Sequence, residues 1–419
     1  MPDCVRRDRG GGPMSALAAD RPRQAVILAG GRGTRMAPLT DTRPKAMIEF
    51  HGKPFLEYIL EQLREQGFTE VLLLLGYLPE AIVDHFGDGS RLGLAVDYSI
   101  TDPDDLTAHR MKVAAPQLHE RFLLLYCDNY WPLRMDDLWD RYVRSGKPAQ
   151  ITVYANEDGY SRDSVIVGED GAVTVFDRSR TTPGLSGVEI GYAILERSVL
   201  ALLPDEDELF EQAVYPPLAA RGELGAYVTR HRYYSVGTVA RLPLTESFFA
   251  RRPTVFLDRD GVLNRKPPRA EYVRQPSELE WLPGALDALR ELNEAGFRVL
   301  VISNQAGIAR GAMSEDDLAA VHRKLVGDAE AAGGKIEQIY HCPHGWDDGC
   351  DCRKPSPGML FRAQREHDLD LSRIAFIGDD ERDAQAAVAA GCRPVLLSEH
   401  CLLGDAVGEL VAEQEAVPV

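Results

Sequence analysis

From Gln24 onward, short apolar runs alternate with stretches whose apolar positions recur every three or four residues. AVILAG, EVLLLLGY, LAVDYSI and RFLLLYCD have the length and content of buried strands, and FLEYILEQLREQGF and AIVDHFG carry helical periodicity between them. Strands alternating with helices predict a mostly parallel sheet covered on its faces. The pattern loosens over RLPLTESFFARRP and restarts in TVFLDRDG, continuing through ALDALRELNEAGF, RVLVISN, DLAAVHRKLVGDAEAAG, RIAFIGD and DAQAAVAAGC. The expected organisation is a flexible leader over 1–23, an α/β domain over 24–240, a linker over 241–252 and a second α/β domain over 253–419.

A length of 419 residues fits two cores better than one, since single cores stop growing at roughly 250–300 residues. The net charge of −18 repels polyanions at long range and argues against nucleic acid or an anionic membrane as partner. Phosphorylated small molecules remain open, because backbone donors and a few placed cations capture them locally. No apolar stretch reaches the roughly 20 residues of a membrane span. The opening MPDCVRRDRGGGPMS lacks the apolar core of a secretory signal, so a cytoplasmic protein is expected.

Chemistry concentrates at the ends of the strand-like runs. TVFL delivers Asp258 and Asp260, which at a spacing of two point to the same side, and Gly261 lets the chain turn close to a ligand. Two neighbouring carboxylates repel unless a divalent cation lies between them, and oxygen ligands suit Mg²⁺. Ser303 and Asn304, candidate phosphate binders, follow VLVI, Asp379 and Asp380 follow IAFIG, and Lys354 comes from the loop CRKPSPG. In an open parallel sheet these positions meet at the carboxyl ends of the strands. A carboxylate nucleophile, a second carboxylate as acid and base, a hydroxyl, a lysine and a metal-binding aspartate make a phosphoryl-transfer set.

The seven cysteines are an odd number, and Cys342, Cys350 and Cys352 crowd together beside His344 in CPHGWDDGCDC. Three thiolates and an imidazole form a closed tetrahedral set suited to structural zinc. Such a site would pin the loop that carries Arg353 and Lys354.

DRDG, VISN, RKP and GDDERD, in this order, resemble the haloacid-dehalogenase-like phosphatases. The resemblance implies Asp258 as nucleophile and Mg²⁺ ligand, Asp260 as general acid/base and backbone-carbonyl ligand, and Asp379 as third ligand. It makes Ser303 and Lys354 phosphate binders and Asp383 a supporting residue. The zinc loop resembles the subgroup of D-glycero-D-manno-heptose 1,7-bisphosphate 7-phosphatases and histidinol-phosphate phosphatases. SNQAGIARG is similar to the heptose enzymes, which implies that Arg310, with Arg353 as a second candidate, holds the phosphate that is not cleaved.

In the first half, LAGGRGTRMAPLTDTRPKAM sets Gly30, Gly31 and Gly33 after a strand, with Arg35 and Lys45 as cations, so the loop can offer N–H groups to phosphates. The string resembles the signature of sugar-1-phosphate nucleotidyltransferases, which implies triphosphate binding there and a Mg²⁺ ligand at Asp128 in LLLYCDNYW. Departures stand at His109 and Arg110, where small residues are usual, and at Ser235 in YSVGT, where the family carries a second metal carboxylate. Arg178 stands where a substrate-binding lysine is common.

The two resemblances together imply two doubly wound α/β domains, the first a Rossmann-like mixed sheet, the second haloacid-dehalogenase-like with a zinc loop. They imply a heptose bisphosphate phosphatase fused to a transferase that attaches a nucleotide, GDP favoured, to the resulting sugar 1-phosphate. The alternatives are a phosphatase with a non-catalytic transferase-like domain, and a histidinol-phosphate phosphatase.

Overall fold

The structure is a computed structural model and describes residues 20–416. Most of the expected leader, residues 1–19, lies outside the described residues. Its end belongs to the fold, since the Arg21 guanidinium donates to Asp136 and to the Gln66 carbonyl. The chain divides into two compact units between Ala250 and Arg251. No helix among the described residues is long and apolar enough to cross a membrane.

In the first unit the main strands are β1 (Gln24–Leu28), β2 (Glu70–Leu75), β3 (Ala95–Ile100), β4 (Arg121–Tyr126), β5 (Ala149–Tyr154), β6 (Val188–Glu196) and β7 (Leu224–Thr229). They form one sheet in the order β7-β5-β6-β4-β1-β2-β3. β1 runs parallel to β2 and β4, whereas β6 is antiparallel to both of its neighbours, which makes the sheet mixed. Residues of one strand alternate between two cores: Ala25 and Ile27 enter one, Val26 and Leu28 the other. Burial on both faces is why β1 reads as an unbroken apolar run.

The expected linker 241–252 is corrected by a helix, Leu242–Phe249, that completes the first core. The Phe249 ring stacks on Tyr58 with centroids 3.9 Å apart, and Phe248 stacks on Tyr234 at the same separation. Phe50, Phe55 and Tyr130 close around Phe249 at 5.8, 5.8 and 5.0 Å.

In the second unit β8 (Thr254–Leu257), β9 (Arg298–Asn304), β10 (Gln338–Cys342), β11 (Ala375–Gly378) and β12 (Arg393–Leu396) form a parallel sheet in the order β10-β9-β8-β11-β12. β8 lies at the centre, so residues leaving β8, β9 and β11 emerge side by side at one edge. The helix Glu381–Ala390 starts there, with Asp380 and Asp383 forming a capping box.

Truncating Phe249 to alanine removes a fully packed ring and should destabilise the first unit by about 3–5 kcal/mol. Scanning calorimetry would read this as a lower first transition with the second unit's melting unchanged; equal melting of both units would show that the helix is dispensable.

Candidate functional site

At the carboxyl edge of the second sheet, Asp258 leaves β8 with its backbone N–H bonded to the Ile377 carbonyl at 2.9 Å. Lys354 arrives from the loop after Cys352 and is fully enclosed. Its Nζ lies 2.8 Å from Asp258 Oδ1 and 2.7 Å from Asp383 Oδ1, and donates to the Ile302 carbonyl at 2.9 Å. Asn304 fixes that loop reciprocally: its amide donates to the Lys354 carbonyl and its Oδ1 accepts the Lys354 N–H. Asn304, expected as a phosphate binder, therefore serves first to position the lysine.

Burial pushes the Asp258 carboxyl up to about 7, with Lys354 opposing the rise and Asp383 and Asp260 adding to it. Burial also works against the Lys354 charge, but Asp258 and Asp383 hold the ammonium above its usual range. Hydrogen bonds at these distances on two carboxylates mark a charged cluster, and we assign Lys354 as ammonium.

Asp260 lines the same cavity as Asp258 and has partners of its own. Arg259 grips it through Nη2 at 3.0 and 2.9 Å, Asn264 donates at 2.9 Å and Gln305 at 3.0 Å. Burial alone would raise this carboxyl, but Arg259, Asn264 and Gln305 together hold it below its usual range, which favours the anion a general base requires. Gln305 also donates to Ser303 Oγ at 2.7 Å, linking the hydroxyl to the acid. Arg259 and Gln305 escaped the motif reading, although they stand inside DRD and immediately after VISN.

Carboxylate oxygens of Asp258, Asp379 and Asp383 lie within 4.8 Å of one another. Asp379 Oδ1 is buried without a hydrogen-bond partner, an atom whose desolvation calls for a cation. Gly261, at φ 98°, is required here, because a Cβ would stand 2.3 Å from Asp379 Oδ2. The residues present thus fit a hard divalent ion.

Asp258, Asp260 and Asp383 line a cavity of about 940 Å³ together with Lys266, Arg269, Trp346, Arg353 and Arg382. Arg310, expected to reach an uncleaved phosphate, is not among the lining residues. Its guanidinium sits over the Trp346 ring at 4.8 Å, and Arg269 lies over the same ring at 5.5 Å. Arg353 lines the cavity as expected, and its Nη1 donates to the His344 carbonyl at 3.5 Å.

Cys342, His344, Cys350 and Cys352 converge as the sequence suggested. Sulfur–sulfur separations are 3.3 to 3.6 Å, and His344 Nδ1 is 3.2 Å from Cys352 Sγ and 3.5 Å from Cys342 Sγ. A disulfide needs about 2.05 Å, whereas the edge of a tetrahedral zinc–thiolate site is about 3.8 Å. The cluster could hold a metal ion.

In the first unit Gly33, Arg35 and Lys45 line a cavity of about 210 Å³. Lys45 Nζ is 2.6 Å from Asp128 Oδ2, and this lysine holds the Asp128 carboxyl low against the effect of burial. Ser235 pairs with Asn129 across a two-residue ladder, beside Asp128, and supplies no second carboxylate. His109 and Arg110 part company. His109 is exposed, while Arg110 is buried and donates to the carbonyls of Leu75 at 2.7 Å, Asp102 at 2.9 Å, Asp105 at 3.0 Å and Gly30 at 3.3 Å. A Cβ on Gly30 would meet that guanidinium at 2.4 Å, whereas one on Gly31 would meet nothing. Arg178, half-exposed, is paired with Glu211 at 2.7 Å.

A family model for nucleotidyl transferases matches residues 24–178, and one described as HAD-hydrolase-like matches 351–400. The D-glycero-beta-D-manno-heptose-1,7-bisphosphate 7-phosphatase of Bordetella bronchiseptica is 43% identical over 143 residues, 34% of this chain and 79% of that protein. The crystal structure of a D,D-heptose 1,7-bisphosphate phosphatase from B. bronchiseptica with magnesium and phosphate is 37% identical, covering 38% of this chain and 99% of that one with a TM-score of 0.36. HddC from Yersinia pseudotuberculosis covers 54% of this chain and 99% of its own at 24% identity, with a TM-score of 0.47.

Exhaustive chelation, or Cys350→Ser, should lower the melting temperature of the second unit by at least about 5 °C. Elemental analysis alongside the melt would decide the matter: a metal-free protein that melts unchanged leaves the cluster without a structural role.

Proposed function

The chain belongs, through its C-terminal unit, to the D-glycero-beta-D-manno-heptose-1,7-bisphosphate 7-phosphatases, and from that premise we propose that it cleaves the 7-phosphate of a heptose 1,7-bisphosphate through an aspartyl-phosphate. It is a hydrolase joined to a nucleotidyl-transferase unit. The observation that carries the reading is the buried Lys354 ammonium between Asp258 and Asp383, beside the partnerless oxygen of Asp379.

Lys354 Nζ and the Arg259 N–H both converge on Asp258 Oδ1, which leaves Oδ2 without a donor among the described residues. That oxygen is the nucleophile. It attacks phosphorus, the bond to the sugar oxygen breaks, and the leaving oxygen takes a proton from Asp260, whose protonated form the negative charge of the incoming phosphate favours. Water then attacks the aspartyl-phosphate as Asp260 recovers a proton, and inorganic phosphate leaves. The Ser303 hydroxyl would hold a phosphoryl oxygen, and the fixed charge of Lys354 would offset the negative charge of the group. Asp258 and Asp379, with the backbone carbonyl of Asp260, would hold Mg²⁺, whose bound charge offsets that of the phosphoryl group. Zinc in the Cys342–Cys352 cluster would fix the loop that ends in Lys354. Arg353, Arg269 and Lys266 are the cations available to the second phosphate, with Arg310 acting through Trp346.

For the first unit we propose a sugar-1-phosphate nucleotidyltransferase, GTP favoured, with the triphosphate at Gly30, Gly31 and Gly33, Arg35 and Lys45, and Mg²⁺ at Asp128. The order of reactions follows from the chemistry: the phosphatase yields a sugar 1-phosphate, whose oxygen attacks the α-phosphorus as pyrophosphate leaves. Ser235 beside Asp128 favours a second reading, a domain that keeps the fold and binds nucleotide without turnover. The reading places the chain in the cytoplasm, where thiols stay reduced.

Phosphate release from the α and β anomers of heptose 1,7-bisphosphate, with histidinol phosphate as comparison, tests the first half. Asp258→Asn should reduce release at least about 10³-fold, and retained turnover would sink the nucleophile assignment. Adding GTP or ATP with Mg²⁺ to the product should then release pyrophosphate; its absence with either nucleotide selects the non-catalytic reading.

A further inference from the structure

Lys266 belongs to none of the motifs that mark the site, yet its Nζ is 2.7 Å from Asp379 Oδ2 and 3.4 Å from Asp380 Oδ2. Four carboxylates, Asp258, Asp379, Asp380 and Asp383, meet at this edge, and two of the three nearby cations are already committed. Lys354 is bound between Asp258 and Asp383, and Arg382 is bound to Asp380 through Nε at 2.8 Å and Nη2 at 2.9 Å. Lys266 is therefore the counter-ion of Asp379. Unlike Lys354 it is half-exposed, on a flexible stem, and it lines the cavity along with Arg269 and Arg353.

A divalent cation on the partnerless Asp379 Oδ1 would share this carboxylate with the Lys266 ammonium. Like charges on one carboxylate in a partly buried site repel. The ammonium has an open route into the cavity, where the phosphoryl groups of a substrate would receive it.

We propose that Lys266 is a displaceable counter-ion: it neutralises Asp379 in the metal-free protein, and a divalent cation on Asp379 drives its ammonium into the cavity to bind phosphate. The proposal rests on the reading of Asp379 as a metal ligand. By linkage, the metal then raises phosphate affinity and phosphate raises metal affinity by the same factor. Lys266 contributes to that factor in addition to any direct contact between the ion and phosphate.

The test uses the full chain carrying Asp128→Asn, so that the first unit's carboxylate does not take up metal, and compares Lys266, Lys266→Met and Lys266→Arg. Mg²⁺ binding is followed by calorimetry and thermal shift with and without inorganic phosphate. Without phosphate, Lys266→Met should bind Mg²⁺ about five-fold or more tighter than the parent, and Lys266→Arg should not. In the Mg²⁺-loaded protein, Lys266→Met should bind phosphate more weakly, so that the coupling factor shrinks. Equal or weaker Mg²⁺ binding by Lys266→Met overturns the proposal. So does tighter Mg²⁺ binding with unchanged phosphate affinity, because the lysine then never reaches the cavity. If Asp379→Asn leaves Mg²⁺ binding of the parent unchanged, the metal reading of Asp379 itself fails, which is a different result from equal binding by the lysine variants.

Discussion

One buried ammonium makes the C-terminal site possible. Asp258 and Asp383 are each almost completely enclosed, and two carboxylates so placed would neutralise themselves by taking up protons if nothing opposed their charge. Lys354, bonded to both and to a main-chain carbonyl, sets a positive charge between them without filling the remaining oxygens. The cost of burying that lysine is offset only because every one of its ties is short and its backbone is clamped on both sides by Asn304. Its loop begins at Cys352, two residues earlier, so the thiolate cluster and the nucleophile are connected through a very short piece of chain.

Much of this was legible in the sequence, and the reason is periodicity. Asp258, Ser303 and Asp379 each terminate an apolar run, and a parallel sheet with β8 at its centre has no choice but to bring those ends together. The four zinc-type ligands were legible from their spacing. What escaped depends on loop geometry, which has no period. Nothing in the sequence says that the Trp346 ring would stand beneath Arg310, or that Lys266 would fold back onto Asp379. The helix Leu242–Phe249 was missed for a related reason: it is short, carries Pro243, and its buried residues Thr245, Phe248 and Phe249 give too few turns to show a stripe.

The first unit illustrates how a motif can be matched for more than one reason. Gly33, at φ 65°, is a turn residue. Gly30 is small because Arg110 lies against it, binding its carbonyl and that of Leu75 and so tying the loop after β1 to the end of β2. An arginine standing where small residues are usual is part of the scaffold beneath the glycines. Lys45 on Asp128 repeats, in a less buried setting, the arrangement of a lysine upon a carboxylate at a strand end. In both units a fixed protein charge stands where negative oxygens would otherwise be left to repel an incoming phosphate.

The aromatic helix at Leu242–Phe249 also bears on how the chain is made. A nascent chain emerges in order, and domains fold as units as they appear. Here the sheet of the first unit is complete by Thr229, but Phe50, Phe55, Tyr58 and Tyr130 lack part of their packing until Phe248 and Phe249 leave the ribosome. The interval between synthesis of the last strand and closure of the core is a time when an apolar surface is open to chaperones or to neighbouring chains. Only four residues separate Phe249 from the first strand of the next unit, which begins at Thr254, so the two folding events abut on the translation clock.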